Sequence, residues 1–113
     1  MVSIRTFRQL ALSFPESKEL PHFDKASFRV RGKIFATMQE KEKNAVIKLS
    51  LIDQSVFCSV DKISISPVPG GWGRQGWTRI ELKNMNKALL KDALTIAWCN
   101  VAPKKLVSEF TNK

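Results

Sequence analysis

Four of the chain's five glycines, two of its five prolines and two of its three tryptophans fall in one stretch. It reads Pro67-Val68-Pro69-Gly70-Gly71-Trp72-Gly73-Arg74-Gln75-Gly76-Trp77-Thr78-Arg79, with two arginines and no acid. Glycine permits positive φ and close approach of another backbone, while proline fixes φ and removes a donor. The mixture describes a shaped loop that presents indole rings beside guanidinium groups. Indoles stack on bases and guanidinium groups pair with phosphates. The competing reading is a tight hairpin whose tryptophans are core, and it weighs more for Trp77 than for glycine-flanked Trp72.

Other chemistry-bearing residues are sparse. His22 is the only histidine, and with Cys58 and Cys99 it shows no metal-ligand spacing, so no metal site is expected. Asp24 would share a strand face with His22 in an extended segment and could hold its tautomer, although a surface ion pair is the commoner outcome. No nucleophile and orienting acid complete a triad. The Gly70-Gly71-Trp72-Gly73 cluster lacks the Gly-Lys-Ser/Thr ending of a P-loop and the spacing of a dinucleotide fingerprint. The residues define no catalytic constellation and call for no cofactor, so the chain reads as a non-enzyme. Cys58 and Cys99 read as buried thiols in a reducing compartment.

The elements that must position these residues follow from periodicity. Ser3 can cap a helix whose apolar face is Ile4, Phe7, Leu10, Ala11 and Phe14, with Pro15 discouraging continuation. Glu16 to Asp24 reads as extended, an edge strand because Pro21 is tolerated there. Ser27 to Arg31, Ile34 to Gln39 and Ala45 to Leu49 are short strands joined by turns, an antiparallel meander. Leu51 to Val60 forms a short helix capped by Ser50, and Ile63 to Val68 is extended. Trp77 to Leu82 alternates as a further strand. Asn84 or Asn86 caps the longest helix, running to about Val101, with Trp98 at the border of its apolar face near Lys87 and Lys91. Pro103 opens a last helix through about Phe110. The order describes an α+β domain with an antiparallel sheet.

Strand alternation sharpens the chemistry. If the apolar sets face the helices, the other side gathers Arg29, Arg31, Lys33, Lys48 and Arg79 around Phe35 and Trp77, a basic surface holding aromatics. An ordinary wet sheet face rich in lysine and arginine is the equal alternative. Lys104 and Lys105 at the start of the last helix oppose its dipole; a bound anion would relieve this, and a solvated pair at a small cost explains it nearly as well.

The totals agree with binding. Nineteen Lys+Arg against ten Asp+Glu give a net charge of +9, a field that attracts polyanions, nucleic acid first. A chain of 113 residues with 43% hydrophobic content is one globular domain, spanning residues 1–113. No apolar run approaches the roughly 20 residues of a membrane span. The N-terminus lacks a signal-peptide layout, so a cytoplasmic location without membrane contact is expected; a monomer is the expected state.

Several segments resemble the MmcQ/YjbR-like family in order and spacing. They are Pro21-His22-Phe23, the run from Ser27 to Thr37, Val68-Pro69-Gly70-Gly71-Trp72-Gly73, Gly76-Trp77-Thr78 and Ala102-Pro103-Lys104-Lys105-Leu106. The resemblance implies a CyaY/frataxin-like, double-wing fold: an antiparallel sheet with helices packed on one face. It implies DNA as partner, and it makes Phe28, Lys33, Trp72, Gly73, Trp77, Thr78 and Lys104 counterparts of the family's marked residues. Asp24-Lys25 replaces a glycine common in the family, so the first turn should differ. Frataxin-like iron handling, which uses an acidic ridge, does not carry over to a basic chain. The leading expectation is weakly sequence-specific DNA binding, with Arg29, Arg31, Lys33, Lys48, Arg74, Arg79 and Lys104 on phosphates and Trp72 and Trp77 shaping the loop or meeting bases. The alternatives are a pocket for a small anionic ligand lined by His22, Lys33, Trp72 and Trp77, and a protein-interaction module using the aromatic loop.

Overall fold

The computed structural model describes residues 2–112. Local capping starts three of the helices. Ser3 Oγ accepts from the Thr6 amide at 3.0 Å and opens α1 (Ile4–Leu12). Ser50 Oγ does the same for Asp53 at 3.1 Å in α2 (Leu51–Val60). Asn86 Oδ1 accepts from Leu89 at 2.9 Å in α4 (Lys87–Val101). Each removes an otherwise orphaned donor of the first turn. Pro103 then precedes α5 (Lys104–Thr111).

The strands are β1 (Ser17–His22), β2 (Lys25–Val30), β3 (Lys33–Gln39), β4 (Asn44–Lys48), β5 (Ile65–Pro67) and β6 (Trp77–Glu81). They form one sheet in the order β1-β2-β3-β4-β6-β5, and every pair is antiparallel. Both edges are protected by a proline, Pro21 in β1 and Pro67 in β5. The expected loop after β5 contains a helical turn, α3 (Gly71–Arg74), which is a correction to its reading as loop throughout.

Phe28, Ala36, Met38, Ala45, Ile47, Ile80 and Ile65 share the inner face, where α1, α2 and α4 cover them. The helix layer is sealed by aromatics. Phe14 stacks on Trp98 at 5.8 Å, and Phe110 of α5 lies 5.0 Å from Trp98. Trp98 is therefore core, 0% exposed, with its Nε1–H donated to the Pro15 carbonyl at 3.2 Å. Its expected place at a helix border is corrected: α1 and α5 both flank α4 there, and a single-helix wheel cannot register them.

One irregularity changes which side chains face out. Phe28 opposes Ala36 but Arg29 opposes Ile34, so β3 carries an extra residue, a β-bulge. Phe35 and Ala36 both turn inward and are 0% exposed, with Phe35 edge-on to Phe14 at 6.2 Å. Ile34 takes the outer side instead. Phe35 is thus core, and not part of the basic surface as alternation implied. Lys33 pairs with fully buried Val30 and shares the inner, helix-covered side of the sheet at its rim.

Candidate functional site

Among the described residues no helix other than α3, at the margin, packs against the outer face of the sheet. Register places Lys18, Leu20 and His22 of β1 there, with Lys25, Ser27 and Arg29 of β2, Ile34 and Thr37 of β3, Val46 and Lys48 of β4, and Trp77, Arg79 and Glu81 of β6. Two projections rise at its margins. The β1–β2 hairpin ends in Phe23, and α3 ends the face on the β6 side with Trp72. Between them lies a cleft of ≈ 610 Å³ lined by His22, Phe23, Asp24, Lys25, Ile34, Thr37, Val46, Val68, Trp72 and Trp77.

The tryptophan wall is held from behind. Gly73 packs so closely that a Cβ would lie 2.0 Å from the Val68 carbonyl oxygen. Gly76 has φ +102°, and a Cβ there would lie 1.8 Å from the Leu49 oxygen. Gln54 of α2 is buried and sets its amide Nε2 3.0 Å from the Gly73 carbonyl, 3.1 Å from that of Trp77 and 3.2 Å from Thr78 Oγ1. One side chain thereby ties α2, α3 and β6 together. The glycines permit the approach, and Gln54 gives a second donor to the Gly73 and Trp77 carbonyls, which also accept from the Gly76 and Val68 amides. Trp72, by contrast, has 63% of its surface exposed. Lys48 donates to the Gln75 carbonyl, and its Nζ lies 5.8 Å from the centre of the Trp77 ring, an orienting cation–π contact.

The opposite wall is unusual. Phe23 is 94% exposed and adopts φ 59° in a two-residue turn closed by the His22–Lys25 pair. A bulky side chain in the left-handed region costs on the order of 1–2 kcal/mol. The His22 ring rests edge-on against it at 4.8 Å. The chain turns between His22 and Asp24, so the two do not share a strand face as expected. Sequence reading missed Phe23, Lys18 and Lys25 as members of this face. The available signal was an exposed apolar residue at the tip of a hairpin.

The expected phosphate-binding residues divide. Arg29, Lys48 and Arg79 do lie on the outer face with Trp72 and Trp77. Arg79 is 2.8 Å from Glu81 in an ion pair, and Arg29 Nε donates to Ser27 Oγ at 3.0 Å. Arg31 belongs instead to the β2–β3 turn, where its φ is 52° and its guanidinium grips Glu16 at 2.7 and 3.0 Å. That grip holds the Glu16 carboxyl below its ordinary range. Arg74 lies on the far side of α3, in a depression with Leu51, Gln54 and Pro69. Lys104 opens α5 in the helix layer. Arg31, Lys33, Arg74 and Lys104 are therefore not gathered with the others, and the proposed His22–Lys33–Trp72–Trp77 pocket forms without Lys33. A larger depression of ≈ 820 Å³ at the β1 edge is lined by Arg8, Glu19, Glu40 and their neighbours. There Arg8 bridges Glu19 and Glu40, both at 2.8 Å, so its central charges satisfy one another.

Among the described residues no group of three His, Cys, Asp or Glu could hold a metal, and no helix is long and apolar enough to cross a membrane. Cys58 and Cys99 are unpaired and half-buried, and burial pushes both thiols up from their ordinary pKa. A thiol held protonated is a poor nucleophile. Iodoacetamide at pH 7 should label both slowly in the native chain and quickly in denaturant; rapid native labelling of either would contradict its placement.

The fold has a solved counterpart. The crystal structure of Deinococcus radiodurans protein DR2400, a DUF419 domain, superposes with a TM-score of 0.80 over 98% of this chain and 89% of that chain. The sequences are 17% identical, so the likeness speaks for the fold alone. No curated protein matches the chain. The sequence model of the YjbR family matches residues 12–100, from the end of α1 through all six strands and into the last turn of α4. That span covers the sheet, both walls of the cleft and the glycines that set Trp72 and Trp77 in place, and the chain belongs to the YjbR family.

Proposed function

We propose that the chain is a non-catalytic DNA-binding protein that uses the outer face of its sheet. The observation that carries this reading is the uncovered face itself, where Trp72 stands exposed above a surface bearing Lys18, Lys25, Arg29, Lys48 and Arg79. A net charge of +9 supports it by drawing polyanions toward the chain at long range. Cations on a face contact phosphates and release counterions, so affinity depends on salt with a slope of about −0.9 per duplex phosphate contact.

Titration of a labelled duplex at 50 and 200 mM salt tests the proposal. With three to five contacts the affinity should fall roughly 50- to 500-fold between them. Arg29→Ala and Lys25→Ala should each weaken binding and reduce the salt slope by about 1. Lys33→Ala and Lys104→Ala, on the helix side, should leave the slope unchanged. No binding at 50 mM salt would remove the proposal. Equal effects from all four variants would replace a defined face with diffuse charge.

A further inference from the structure

We infer that the cleft across the outer face is a slot for an unpaired nucleobase, so that the chain prefers single-stranded or locally opened DNA to a perfect duplex. The inference rests on the DNA-binding reading and adds what the central cleft would hold. Its floor is Ile34, Thr37 and Val46, without a charged side chain. Its two walls are aromatic, Phe23 on one side and Trp72 with Trp77 on the other. Phosphates would gain nothing from such a floor, whereas a flat heteroaromatic ring can bury its edges there and stack on the walls.

Three observations bear on the occupant. The cleft is open to solvent along a sheet surface whose cations flank it, Lys25 at one end and Lys48 beside Trp77 at the other. Lys25 and the adjacent Asp24 both line the Phe23 end, so the charged groups sit at the margin of an aromatic interior, where the sugar–phosphate chain of a bound base would pass. The bulge in β3 exchanges Phe35 for Ile34 on this face, which lowers the floor between the walls. Phe23 shares a left-handed backbone with Glu16, Arg31 and Lys43, but it alone of the four is aromatic, and it stands 94% exposed at the cleft. A paired base cannot enter, because its edge and both faces are occupied within the duplex.

The test compares oligo(dT), a perfect duplex and a duplex with one bulged thymine at 50 mM salt, read by tryptophan fluorescence and by anisotropy of a labelled strand. The single strand and the bulged duplex should bind more tightly than the perfect duplex and quench the emission of Trp72 and Trp77. Trp72→Ala should weaken single-strand binding roughly tenfold or more and perfect-duplex binding by a clearly smaller factor. Phe23→Gly should weaken it likewise without lowering the melting temperature, since glycine accepts this backbone conformation. Perfect-duplex affinity equal to or above that of the strand, unmoved by either variant, would overturn the slot and leave the DNA-binding reading standing. Thymidine monophosphate binding as tightly as the oligonucleotide would overturn the strand as occupant. Absence of binding to any DNA form would remove both readings.

Discussion

Replacing Gly76 by alanine should lower the melting temperature by roughly 10 °C or more and disorder the tryptophan wall of the cleft. A Cβ there would stand 1.8 Å from the Leu49 carbonyl oxygen and 3.0 Å from its carbon. The obstacle is backbone, and the same two residues are joined by the Leu49 N–H to Gly76 carbonyl bond at 2.9 Å. Relief by separation would break that bond at the junction of β4 and β6. The φ of +102° adds conformational strain for any L side chain. Together these effects should cost about 3 kcal/mol or more. Gly71→Ala is the control: it has open space around its Cβ position and should stay within about 0.5 kcal/mol of the parent. Denaturant titration of both variants checks the result, and a Gly76→Ala chain as stable as the parent would refute the packing described for this junction.

Trp98→Ala should be comparably severe, costing about 3–5 kcal/mol of folding stability. The ring is fully buried between Phe14 and Phe110, and its removal leaves a cavity that α1, α4 and α5 line together. It also strips the Pro15 carbonyl of its donor. Domains of this size are stable by only about 5–15 kcal/mol, so the variant should be near its unfolding threshold at 37 °C. Trp98→Phe keeps most of the apolar volume and should lose about half as much. Urea unfolding of the pair provides the measurement. A change below about 1 kcal/mol in Trp98→Ala would mean that the helix layer does not close over this residue.

The contrast between the two sides of the sheet explains which residues were legible. Ser3, Ser50 and Asn86 act on amides within three positions, so their capping roles can be read locally. Val46, Lys48, Trp77 and Arg79 point outward as alternation requires, because β4 and β6 run without irregularity. β3 does not. Its bulge arises from how two strands pair, and it reverses Phe35 and Ile34 while carrying Lys33 to the inner side. Arg31 and Glu16 lie fifteen positions apart, and the turn that joins them exists only once β1 and β2 are side by side. Of the five cations and two aromatics expected on that face, Arg29, Lys48, Trp77 and Arg79 lie on it, and Arg31, Lys33 and Phe35 lie elsewhere.

By itself the sequence determined the α+β class, the helix starts, the alternating strands, the excess of positive charge and the Gly/Trp stretch that marks the family. Those properties depend on neighbours along the chain or on sums over it. Tertiary structure alone decided that Trp98 is core, that Phe23 faces Trp72 across a cleft, and that Arg31, Lys33 and Lys104 lie off the surface that Arg29, Lys48 and Arg79 share. Each of these depends on register or on packing between distant segments, where one extra residue in a strand is enough to change the face that a side chain presents.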